Sequence, residues 1–282
     1  MKKILLINDV VGYSHVGMVA MLPILTYLGH STYNLPTSLV SNTLDYGRFN
    51  VLDTTDYMRG VLPVWKELGF CFDAVCTGLM FSEEQARLVS AYCAELRQQG
   101  TTIFVDPIMG DGGRLYNGIT ERQVELMREM VAVADLVFPN YTEACYLTDI
   151  PWREEGMSWQ EAQDMLDRLV EIGTRSALIT SAKVEGHNCV VGKRASEPVS
   201  FAQVQEEGPY FRLDYEEIPG LFHGTGDIFS AVLIGSLLGE QKPLPQAARR
   251  AMDVVARMID RNRDVTDHNC GIFIERCLDV LA

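Results

Sequence analysis

The feature that most constrains this chain is a repeated alternation, in which a short apolar run ends in polar residues and a stretch with helix-spaced apolar residues adjoins it. The runs are Lys3 to Ile7, Asp73 to Cys76, Thr101 to Val105, Asp135 to Phe138 and Ser176 to Thr180. The helical stretches are 16–28, 55–68, 82–100, 120–133, 141–148 and 158–172. Runs that are apolar in both phases suit strands buried on both faces, and strands alternating with helices imply a parallel sheet covered on both sides. In such α/β folds functional residues gather at the carboxyl ends of the strands.

The remaining segments vary this theme. Ser31 to Val40 contains Pro36 and is expected as an edge or lid strand, because proline removes a ladder donor. Asp106 to Gly113 is too rich in glycine and acid to be expected in the core. Between His187 and Glu217, strand-like pieces at 188–191, 199–204 and 210–215 follow one another without helices and predict an antiparallel edge. Helices are expected at 227–238, 244–261 and about 271–281. No repeat, low-complexity segment or linker stands out, so one domain over 1–282 is expected.

Composition excludes some partners. The 24 basic and 38 acidic residues give a formal charge of -14, which argues against nucleic acid or an anionic membrane as the main partner. A nucleotide remains open, since its phosphates need only one local positive site. Ile4 to Ile7 is too short for a signal peptide or membrane span, so a cytoplasmic protein is expected. Cys71, Cys76, Cys93, Cys145, Cys189, Cys270 and Cys277 form neither a CxxC pair nor a metal spacing with histidine, and they read as reduced, mostly buried thiols.

Gly224-Thr225-Gly226-Asp227 is a loop of small residues feeding an apolar helical run. A helix start gathers free N–H groups and the positive end of the dipole, which favour a phosphate. Asp227 then has two readings. It either caps the first turn or takes a proton from a hydroxyl about to attack that phosphate. Four further polar sites lie at expected strand ends, namely Asn8-Asp9, Asp106 to Asp111, Asn140 to Glu143 and Thr180-Ser181. Asn140 and Glu143 are three apart on a first helical turn, where both can face one site. With Asp106 they are oxygen donors suited to magnesium, directly or through water. Read singly, the three also suit a turn residue before Pro107, a helix cap and a first-turn acid.

Gly224-Thr225-Gly226-Asp227, Asp106-Pro107-Ile108-Met109-Gly110-Asp111 and Pro139-Asn140-Tyr141-Thr142-Glu143 together resemble the signature set of the ribokinase-like superfamily. More narrowly they resemble its pyridoxal kinase branch, where DPxMGD precedes PNxxE. Val16-Gly17 and Ser41-Asn42 extend the likeness over almost the whole chain. The resemblance implies a ribokinase-like three-layer α/β sandwich whose mostly parallel central sheet has helices on both faces and an antiparallel edge. It also implies Asp227 as catalytic base and the amides around Gly224, Thr225 and Gly226 as the anion hole for the γ-phosphoryl group.

Further roles follow from the same resemblance. Asp106, Asn140 and Glu143 would surround Mg2+ and the phosphates of ATP, Asp111 and Tyr116 would lie near the phosphates, and Thr180 with Ser181 would form part of the ATP site. Asp9, His15, Ser41 and Asn42 fall on the acceptor side. A monovalent cation, commonly K+, and a homodimer belong to the family's habits. The activity implied is ATP-dependent phosphorylation of the 5'-hydroxymethyl group of a B6 vitamer. Hydroxymethylpyrimidine or a sugar is the alternative acceptor, and a non-catalytic nucleotide- or vitamer-binding protein is the alternative class.

Departures cluster on the acceptor side. Asp9 stands where the family usually has Ser, Thr43-Leu44 where it has His-Thr, Leu79 where it often has Tyr, and Phe138 where a small residue or Thr precedes the PN pair. Gly192-Lys193-Arg194 fails the P-loop spacing, and neither a G-x-G-x-x-G fingerprint nor a G-x-S-x-G elbow occurs. His223 is expected to pack or be solvated, and Trp65, Trp152 and Trp159 read as packing residues.

Overall fold

A computed structural model describes residues 1–116, 119–195, 208–220 and 222–282. The expected strand 199–204 and the acidic pair Glu206-Glu207 lie outside the described residues. In chain order the strands are β1 (Lys3–Tyr13), β2 (Ser31–Asn42), β3 (Val51–Asp53), β4 (Ala74–Thr77), β5 (Thr102–Val105), β6 (Gly110–Asp111), β7 (Arg114–Leu115), β8 (Leu136–Val137), β9 (Ser176–Val184), β10 (His187–Lys193) and β11 (Tyr210–Asp214). The helices are α1 (Met18–Tyr27), α2 (Thr55–Glu67), α3 (Glu83–Gln98), α4 (Glu121–Ala132), α5 (Tyr141–Thr148), α6 (Trp159–Ile172), α7 (Thr225–Gly239) and α8 (Leu244–Arg261). The residues fall into two compact units, one of Met1–Phe81 with Ile218–Ala282 and one of Ser82–Glu217.

In the first unit β1 pairs in parallel with β4 on one side and β2 on the other, and β3 adds to β2 in antiparallel fashion. Ile4, Leu5, Leu6 and Ile7 are fully buried, as a strand covered on both faces requires. Helix α7 is buried from Ile228 to Leu238, which explains why its apolar residues run all round it rather than along one stripe. In the second unit β5, β8 and β9 are parallel, and β10 and β11 complete an antiparallel edge. Ser82 caps α3, and Thr120, Asn140 and Ser158 form capping boxes on α4, α5 and α6. These caps satisfy the free N–H groups at the helix starts.

Four expectations need correction. The strand at 31–42 is not an edge, since it pairs on both sides. The three-residue β3 reaches only Ser38 to Val40, however, so Pro36 sits beyond it and costs no bond on that side. Strand β1 does not stop before Asn8-Asp9 but runs on to Tyr13, accommodating the polar pair through a register shift between Asn8 and Val10. The stretch after β5 does enter the core, with Met109 1% exposed, and it folds back as the β6–β7 hairpin. The segment 271–281 forms short 3-10 turns at Ile274–Arg276 and Leu278–Leu281 rather than a helix. Ile274, Cys277, Val280 and Leu281 keep the spacing of one helical face, but the backbone at Cys277, with φ -129°, breaks the helix between the two turns. Asn262 holds the segment in place by accepting the Phe273 N–H at 3.0 Å.

Candidate active site

Helix α7 opens on Gly224, whose φ is 83°. A Cβ there would lie 2.4 Å from the His15 carbonyl oxygen, so the turn requires glycine. No side chain caps this helix, which leaves the amides of Thr225 and Gly226 open to an anion. The space at Gly226 is clear as well, since an added Cβ would meet nothing within 4 Å.

Asp227 does not close its own helix. Its Oδ2 accepts the Gly17 N–H at 2.8 Å, and its Oδ1 faces Asn8 Nδ2 at 3.4 Å. The N-cap is Gly224, so the capping alternative fails. Burial pushes the Asp227 acid up to about 6, against the hydrogen bonds from Gly17 and Asn8 that favour the carboxylate. A carboxylate in this range is poised to accept a proton near neutral pH.

The residues that hold Asp227 come from the other end of the chain. Gly17, the N-cap of α1, has φ 60°, and a Cβ on it would lie 2.7 Å from Asp9 Oδ1. Only glycine can therefore present its N–H to Asp227 while Asp9 packs on its Cα. Asp9 is 8% exposed. Burial, and next the negative charge of Asp227, push its acid up to about 7. A charge on Asp227 thus opposes ionisation of Asp9. Asn8 is buried, and its Oδ1 accepts the N–H groups of Asp9 and Leu79, both at 2.9 Å. Gly78 admits this amide, since a Cβ there would lie 2.3 Å from Asn8 Oδ1. The sequence offers Asn8 as half of a polar pair at a strand end and Gly17 as part of the family likeness, but assigns neither a role toward Asp227. The available signal was an asparagine ending an apolar run and a glycine opening the first helix.

In the second unit the first turn of α5 holds the β6–β7 hairpin. Asn140 Oδ1 accepts the Glu143 N–H at 2.9 Å, and Glu143 Oε2 accepts the Asn140 N–H at 2.8 Å. Glu143 Oε1 accepts the Met109 N–H at 3.0 Å, Asn140 Nδ2 donates to the Gly110 carbonyl at 2.8 Å, and Thr142 Oγ1 accepts the Gly113 N–H at 2.9 Å. Burial, and next the charge of Asp106, raise the Glu143 acid well above its ordinary range. A divalent cation would relieve this repulsion, so the Asp106–Glu143 pair fits one. Both Glu143 oxygens already accept backbone N–H groups, which suits contact through a water. Among the described residues no three His, Cys, Asp or Glu side chains form a metal cluster.

Thr180 lies beside Asn140 through a parallel bridge, its N–H donating to the Pro139 carbonyl at 2.9 Å. Ser181 has φ 51° at the point where the β9–β10 register shifts, and this bulge turns it out to solvent. Asp111 is exposed and accepts the Gly112 N–H at 2.8 Å. Tyr116 is also exposed.

The expected acceptor-side residues divide. Ser41 and Asn42 close the 43–50 loop. Ser41 Oγ accepts the Asn50 N–H at 2.8 Å, and Asn42 Nδ2 donates to the Arg48 carbonyl at 2.9 Å. His15 turns to the C-terminal segment, its Nε2 3.4 Å from Glu275 and its ring against Phe273. His223 Nε2 lies 3.5 Å from Asp45 of the same loop. Asp9 alone of the four is brought beside Asp227.

An open, glycine-led helix start with a half-buried carboxylate at its third position, on a largely parallel α/β scaffold, defines a kinase of the ribokinase-like class. The model of the phosphomethylpyrimidine kinase family matches residues 31–272, and the chain belongs to that family. It is 30% identical to the pyridoxine/pyridoxal/pyridoxamine kinase of Bordetella avium over 248 residues, 82% of this chain and 76% of that protein. A Bacteroides thetaiotaomicron protein provisionally described as a phosphomethylpyrimidine kinase, solved with pyridoxal, superposes with a TM-score of 0.89 at 32% identity, over 99% of this chain and 95% of that one. The pyridoxal kinase of Lactobacillus plantarum superposes at 0.85 with 26% identity, over 100% of this chain and 96% of that one.

Proposed function

We propose that this protein transfers the γ-phosphoryl group of ATP to the 5'-hydroxymethyl group of a B6 vitamer. The observation that carries the reading is the Asp227 carboxylate, fixed by Gly17 at the uncapped start of α7. As the hydroxyl attacks, Asp227 takes its proton, while the amides of Thr225 and Gly226 stabilise the charge of the transferring group. Asp106, Asp111, Tyr116, Asn140, Glu143, Thr180 and Ser181 serve the nucleotide. Magnesium held by Asp106, Asn140 and Glu143, directly or through water, would neutralise phosphate charge. A mere binder needs no such base, and this argues against a non-catalytic role.

Asp9 contacts the acceptor, whereas His15, Ser41 and Asn42 shape its surroundings. The match of 99% of the chain to one solved kinase chain supports reading 1–282 as a single kinase domain. A homodimer belongs to this reading as well, to be checked by light scattering. Seven free cysteines suit a reducing cytoplasm.

The test is Asp227→Asn, assayed for ATP consumption with pyridoxal, pyridoxine and pyridoxamine. A loss of about 10²–10⁴ in kcat with the KM for ATP held is expected, and near-normal turnover by a folded variant would refute the role. The family's description and Asp9 in place of the usual Ser favour one second reading, hydroxymethylpyrimidine as acceptor. Turnover with that compound and silence with every vitamer would establish it instead.

A further inference from the structure

The hairpin that carries Asp111 is held by more than α5. Trp152, in the connection between α5 and α6, is 37% exposed, so it is not a core-filling residue. Its indole packs on Gly113, where a Cβ would fall 2.7 Å from two indole atoms and 3.3 Å from a third. Gly113 has φ 78°, its N–H is taken by Thr142, and its Cα face is taken by the indole. Tyr141 lies beside Trp152, with ring centroids 6.4 Å apart. The polar side chains of the α5 first turn thus fasten Met109, Gly110 and Gly113 by hydrogen bonds, and Trp152 adds an apolar clasp at the turn itself.

We infer that Trp152 is a positioning residue for the nucleotide, which, by occupying the space that a side chain at position 113 would fill, fixes the hairpin and with it Asp111 and Tyr116. This rests on the reading that those two residues serve the nucleotide phosphates. Removing the indole leaves every hydrogen bond from α5 in place, so the hairpin stays attached but samples more positions. Nucleotide binding must then order it, and this cost falls on nucleotide affinity rather than on the acceptor or on proton abstraction.

Steady-state kinetics of the full chain test the proposal. Trp152→Ala is expected to raise the KM for ATP on the order of tenfold, the cost of ordering about one residue, with the KM for the vitamer unchanged. Trp152→Phe should recover most of the loss. Gly113→Ala, which drives a methyl group into the indole, should reproduce the Trp152→Ala defect. Calorimetry of ATP binding to the unmutated protein separates the two levels of inference. Absence of binding there overturns the nucleotide reading and the clasp with it. Normal binding, combined with Trp152→Ala kinetics that are unchanged or that raise both KM values equally, overturns the clasp alone.

Discussion

Asp9→Asn is expected to change how the fold responds to pH. Burial and the neighbouring charge of Asp227 push the Asp9 acid from 3.8 up to about 7. The unfolded chain gives up this proton near the ordinary carboxylate value, whereas the folded protein keeps it until about pH 7. Between these values the folded state binds more protons, so its stability falls as pH rises. Integrated from about pH 5 to about pH 8, with 1.36 kcal/mol per pKa unit, this one group removes about 2–3 kcal/mol. Asparagine preserves the shape and carries no charge, so the variant escapes that loss, including the part that comes from repulsion by Asp227. Thermal unfolding followed by circular dichroism at the two pH values measures the difference. The gain of the variant over the unmutated protein should be larger at about pH 8 than at about pH 5, by on the order of 5 °C. Melting temperatures that run parallel across the range would refute the reasoning, because Asp9 would then not titrate as an enclosed group beside a second carboxylate.

Two further outcomes follow from the same pocket. Since Asp227 is pushed up to about 6, kcat/KM should rise about tenfold per pH unit below that value and level off above it. A pH–rate profile flat from about pH 5 to about pH 7 would count against Asp227 as the base. Gly17→Ala places a methyl group 2.7 Å from Asp9 Oδ1 at a φ that side chains rarely adopt. It should therefore displace the N–H that holds Asp227 and lower kcat at least about tenfold, at a stability cost of about 1–3 kcal/mol. Wild-type turnover by this variant would show that the Gly17 bond does not position the base.

The fold was legible where the physics is local. Apolar runs marked β1, β4, β5, β8 and β9, and helix-spaced apolar residues marked the helices of the second unit, whose starts Ser, Thr and Asn side chains cap. The errors arose where a distant partner decides the outcome. Pro36 signals a missing ladder donor, but its cost depends on how far β3 extends along β2, which no local pattern records. The 271–281 segment has helix-spaced apolar residues, yet the distant Asn262 side chain takes the Phe273 N–H and the backbone breaks at Cys277, leaving 3-10 turns.

The active site follows the same rule. Asp227 was legible because a glycine-led loop and the helix it feeds lie within a few residues of it. Its holders, Gly17 and Asn8, lie 210 and 219 positions away in sequence. Their roles arise only because β1 runs on past the polar pair and α1 begins where its first amide meets the carboxylate. The raised acids of Asp9 and Asp227 are further removed still from motif reading, since they depend on enclosure and, for Asp9, on the neighbouring charge. A motif can name the group that accepts the proton. The residues packed around it decide the pH at which it can do so: their enclosure raises the Asp227 acid, and the Gly17 N–H and the Asn8 amide oppose that rise.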